Sequence, residues 1–104
     1  DGTVAIDTFG GNTGTTFMTG AGLVGGDLTN DHPVSFLYDA ALATTDGGLV
    51  TPESAVFVDA GHQVPLYAGK MQCSSCHQAH DNTNGKFLRI SNAGSALCLK
   101  CHNK

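Results

Sequence analysis

Cys73-Ser74-Ser75-Cys76-His77 and Cys98-Leu99-Lys100-Cys101-His102 are two copies of one pattern, C-x-x-C-H, in the last third of a 104-residue chain. The pattern is the attachment signal for c-type haem. Each Cys adds across a vinyl group as a thioether, the x-x spacing matches the separation of the two vinyls, and the adjacent His falls under the iron. Two C-x-x-C pairs also nearly fit a four-Cys zinc site, and an exported chain could close them as disulfides. The trailing His separates these readings. At five His in 104 residues, a His after both pairs arises by chance with odds of roughly 0.2%, so the form reads as haem. Cys73, Cys76, Cys98 and Cys101 are the expected thioether positions, and His77 and His102 the expected proximal ligands, for two haem c groups.

The rest of the histidines fit that ligand count. His32, His62 and His80 remain, and two irons need two more axial ligands to become six-coordinate. His80 follows His77 by about one helical turn, too close to reach the far face of its own haem. It is expected on the other iron, with a surface His beside Asp81 as the plain alternative. His32 precedes Pro33, which biases it toward an extended backbone, and it is the expected distal ligand of the first haem, with Asp31 helping to orient it. His62 is the substitute or intersubunit candidate. Met18 and Met71 are also possible axial ligands, and Met would raise the potential relative to His. Met71 lies too close to Cys73, and Met18 reads as filler.

Composition says why a cofactor is needed. Leu, Ile, Val and Phe number 23 and Gly another 14, so the side-chain core is thin for this length. The net charge of −4 excludes a general nucleic-acid binder, and no apolar run approaches a membrane span. Charge is divided unevenly. Residues 1–69 hold eight acids and no Lys or Arg, whereas residues 70–104 hold Lys70, Lys86, Arg89, Lys100 and Lys104 against Asp81 alone. The basic segment surrounds the cysteines and suits the propionates of an anionic cofactor.

Residues 1–26 read as a Gly/Thr-rich arm or assembly segment, with strand-capable pieces at 3–6 and 15–18 interrupted by glycines. Residues 27–104 read as the dihaem domain. Within it, residues 34–38 suit a strand or one helical face, residues 44–48 a Gly/Thr turn, residues 55–58 a short strand and residues 87–90 an extended piece. Ser95 is the expected N-cap of a final helix over 96–102. The polar start at Asp1, with no leader, reads as a mature exported form.

The text at 27–36 (Asp27-Leu28-Thr29-Asn30-Asp31-His32-Pro33-Val34-Ser35-Phe36), the C-x-x-C-H-x-x-H run from Cys73 to His80, and the stretch from Phe87 to Lys104 resemble multihaem c-type cytochromes. The resemblance is greatest to outer-surface electron carriers of metal-reducing bacteria. It implies that His32 and His80 are distal axial ligands. It also implies a small haem-cored domain with little regular secondary structure, a few short helices and strands around two stacked haems. Some such proteins polymerise into extracellular filaments.

The expected function is therefore electron transfer through two bis-His haems, with no open site for catalysis and a low potential. A head-to-tail homopolymer, acidic part against basic part, is favoured over a soluble periplasmic dihaem shuttle. A haem enzyme or gas sensor with one five-coordinate iron is the alternative of another class. Redox partner proteins or extracellular acceptors are the expected partners, and an extracellular or cell-surface location is favoured over the periplasm.

Overall fold

The computed structural model describes residues 26–29 and 31–103. The expectations for residues 1–25, including the two strand-capable pieces and Met18, lie outside the described residues. Contacts divide the chain into one unit ending at His32 and another running from Pro33 to Lys104. In the first, the Asp31 amide donates to Leu28 O at 3.2 Å. The Asp27 carboxylate accepts from the Thr29 amide and hydroxyl, bonds that hold it below its ordinary pKa.

The second unit is small and has little regular structure. Its elements are strand β1 (Phe36–Leu37), helix α1 (Ala40–Asp46), strand β2 (Lys70–Met71) and helix α2 (Cys73–Cys76), followed by two 3-10 turns, Ala93–Ser95 and Cys98–Lys100. β1 and β2 pair antiparallel with Phe36 opposite Met71 and Leu37 opposite Lys70. Before β2 the chain reverses in a tight turn, where Tyr67 and Lys70 exchange backbone bonds of 3.0 Å. Ala68 and Gly69 both take positive φ, 52° and 73°, as a type I′ hairpin turn requires.

Within residues 34–38 only Phe36–Leu37 form a strand, and the helix begins at Ala40. Asp39 is extended, and its side chain accepts from the Leu42 amide at 2.8 Å, an N-cap. The expected turn at 44–48 is corrected. The helix continues to Asp46, and Gly47 closes it at φ 70° with its N–H on Ala43 O. Thr44 and Thr45 lie within the helix, their hydroxyls donating back to Ala40 O and Ala41 O.

Three further expectations are corrected. Residues 55–58 form no strand. Phe57 makes one isolated bridge to Pro65, because the Ser54 hydroxyl takes the Val56 and Phe57 amides. Residues 87–90 pair only at Leu88, since Lys86 and Phe87 are left-handed at φ 51° and 55°. Of the final helix expected over 96–102 only the 3-10 turn Cys98–Lys100 forms, and Ser95, at φ 63°, ends the separate turn Ala93–Ser95 rather than capping it.

The core is Tyr38, Val58, Val64, Leu66 and Met71, with Phe36, Leu42, Leu49, Cys76, Leu97 and Cys101 packed round it. The second Cys of each motif thus backs onto the same cluster.

Candidate functional site

The two motifs are held by the same backbone scheme. His77 N donates to Cys73 O, and His102 N to Cys98 O, both at 2.9 Å. Each His then forms an isolated antiparallel bridge, His77 with Leu88 and His102 with Leu49. Around His77, Arg89 N donates to Cys76 O and Gln78 N to Phe87 O, at 2.8 and 2.7 Å. Around His102, Val50 N donates to Cys101 O and Asn103 N to Gly48 O, at 2.8 and 2.9 Å. The chain direction through each His is fixed by two bonds from a segment remote in sequence.

Local contacts refine this frame. The Ser75 hydroxyl accepts from the Gln72 amide at 2.9 Å, and Ser35 Oγ donates to Gln72 Oε1 at 2.8 Å. His77 Nδ1 lies 2.8 Å from Lys86 O. A carbonyl only accepts, so Nδ1 carries the proton and Nε2 keeps its lone pair for a metal. The first Cys of each pair is exposed and the second half-buried. An open hollow of about 400 Å³ borders the first motif, lined by Cys73, Ser74, His77, Ala79 and Phe87.

All four thiols are free. Burial pushes Cys101 up to about 11, with Cys76, Asp59 and Cys98 adding to the rise and Tyr38 opposing it. Burial also raises Cys76, followed by Cys98 and Cys73, with Arg89 opposing. Zinc needs gathered thiolates, and among the described residues no three His, Cys, Asp or Glu side chains converge on a metal-sized point. A thiol on each side of a turn, followed by an imidazole whose Nδ1 is engaged by Lys86 O, fits thioether-linked haem at the first motif.

A protein-family model described as the doubled CXXCH motif matches residues 65–104. It spans both motifs. The match supports a multihaem c-type cytochrome, with c-type haem binding and electron transfer, and leaves residues 1–64 outside it. No curated protein matches the chain.

The other candidate histidines lie outside the two motifs. His80 is exposed in the turn after the first motif, where Asp81 N donates to Gln78 O. The Asp81 carboxylate accepts from the Thr83 hydroxyl and amide, which lower its pKa. His62 is exposed at φ 54° and stacks on Phe57, centroids 4.5 Å apart. His32 is exposed and belongs to the other unit. Met71 is buried in the core rather than turned to a site.

Lys100 pairs with Asp59 at 3.2 Å, and Arg89 binds Ser74 O, Gln78 Oε1 and Tyr67 Oη. Both basic groups therefore have partners in the protein. Lys70 and Lys86 are exposed, and Lys104 lies outside the described residues. Sequence reasoning missed the clamps at 48–50 and 86–89, which carry no motif of their own.

Proposed function

We propose that the chain transfers electrons through two c-type haems held at Cys73, Cys76, His77 and at Cys98, Cys101, His102. The observation that carries the reading is the common frame of the two motifs, each His bridged to a remote segment by the same pair of backbone bonds. When bound, haem supplies a one-electron iron couple. The protein's part is to anchor the thioethers, to hold His77 in the Nδ1-protonated form through Lys86 O, and to shield Cys76 and Cys101 against the core. His80 and His32 are the distal ligands in this reading, with His62 as substitute or intersubunit ligand. With four imidazoles for two irons no coordination site would be left open, and in this reading the chain is an electron carrier rather than an enzyme.

We further infer a head-to-tail homopolymer at the cell exterior rather than a soluble periplasmic shuttle. Two haems span a short distance, and the acidic and basic parts of the sequence are complementary. Among the described residues no helix is long and apolar enough to cross a membrane.

Two measurements test the reading. Pyridine haemochrome quantification should give two haems per chain that resist acid-acetone extraction, and carbon monoxide should leave the reduced Soret band in place. A carbon monoxide shift would instead favour the five-coordinate enzyme or sensor. Electron micrographs of concentrated holoprotein should show filaments, and uniformly monomeric particles would sink that part.

A further inference from the structure

Two cationic side chains lie against the motifs, and the protein treats them differently. Arg89 reaches three neutral acceptors, Ser74 O at 2.7 Å and Gln78 Oε1 and Tyr67 Oη at 3.2 Å each. No carboxylate pairs with it among the described residues. Ser74 lies inside the first motif and lines the hollow beside Cys73 and His77, so the guanidinium places an uncompensated positive charge there. Lys100 lies inside the second motif, and its charge is met by Asp59. Asp59 is itself fixed, its Oδ1 accepting from the Gln63 and Val64 amides at 2.9 Å. A second carboxylate lies on that side. Asp46 Oδ1 accepts from Gly48 N, and Gly48 O binds Asn103 N. On the first motif's side, Lys86 and Asp81 carry opposite charges that offset each other in sign.

A reduced haem carries one more negative charge than an oxidised one, so a nearby fixed cation favours reduction and a carboxylate opposes it. Resting on the two-haem reading, we infer that Arg89 makes the Cys73–His77 site the higher-potential site of the pair. The Asp59–Lys100 pair keeps the Cys98–His102 site lower. An electron entering at the second motif therefore settles at the first. One electron moves, and what the second motif loses the first gains. Arg89 is a positioning residue for charge, touching the motif's backbone rather than the cofactor.

The test is a spectroscopic redox titration of the holoprotein and of Arg89→Gln, Arg89→Lys and Asp59→Asn, after haem quantification. Fewer than two haems per wild-type chain overturns the two-haem reading and this inference with it. With two haems bound, wild type should titrate in two resolved steps. Arg89→Gln should lower the upper step and leave the lower one in place, and Arg89→Lys should restore it. Asp59→Asn keeps the acceptor for Gln63 and Val64 but unmasks Lys100, and should raise the lower step alone. Both neutralising variants thus narrow the gap from opposite ends. Coincident steps in wild type, or an Arg89→Gln shift in the lower step or in neither, overturn the inference while leaving the haem reading intact. If Arg89→Gln fails to load its haem, Asp59→Asn decides, and a lower step that does not rise overturns the inference.

Discussion

Ser75 is the residue of the two motifs whose side chain is fully buried. Its hydroxyl takes the Gln72 amide at the start of α2, so a position written x in C-x-x-C sets the turn that presents both thiols. Ser75→Ala leaves that amide without its acceptor and should cost about 1–3 kcal/mol, read as a lower denaturant midpoint. Tyr38 plays a similar part for the second motif. Its hydroxyl donates to Val50 O at 2.8 Å and to Cys101 O at a longer 3.4 Å, and burial together with nearby Cys101 raises its pKa. Neither role is visible in a sequence pattern, because a buried Ser and an exposed one are written alike.

At the scale of elements, the short helix α1 and the loop over 59–64 carry the testable detail. Gly47 sits at φ 70°, where a Cβ is strained even though the surrounding space is open. Gly47→Ala should destabilise by about 1 kcal/mol, measured by chemical denaturation. Asp59 organises the loop through Gln63, Val64 and Lys100. Burial by itself would raise its pKa, but the Val64 and Gln63 N–H groups and the Lys100 ammonium outweigh it, and the value lies below the ordinary 3.8. A carboxylate depressed on folding contributes stability that is complete above its unfolded pKa and lost as pH falls through the folded one. Thermal melts should therefore decline on the acid side of pH 4 in wild type, and Asp59→Asn should flatten that decline. The same loop shows why a short apolar run failed to become a strand. Ser54 and Asp59 take the amides that a ladder would have used.

For the whole molecule, the five-residue buried cluster is small, and both motifs lean on it through Cys76 and Cys101. Loss of attachment should therefore be felt throughout the second unit. Chain produced with all four Cys changed to Ala should unfold at a lower temperature, and less cooperatively, than the haem-loaded protein, because a ligand that binds only the folded state stabilises it. Calorimetry of the two forms checks this. Equal melting would mean that the side-chain core suffices alone.

The chemistry was legible in sequence because covalent attachment demands fixed residue types at fixed spacing. Two C-x-x-C-H runs say what is bound without reference to packing. The expectation of little regular structure followed from the same reading and from the scarcity of large apolar side chains, and the described residues agree with it. What holds each motif was decided by tertiary structure. Gly48, Leu49 and Val50 clamp His102, and Lys86 to Arg89 clamp His77, through backbone groups that every residue possesses. Backbone hydrogen bonds leave no residue-type signature. The element bounds were misjudged for a related reason, since side-chain oxygens of Ser54 and Asp59 take backbone amides in ways that apolar periodicity does not record. Charge compensation belongs to the same class. Arg89 and Lys100 are equivalent in a count of bases, and only their neighbours in space make one an open charge and the other half of an ion pair.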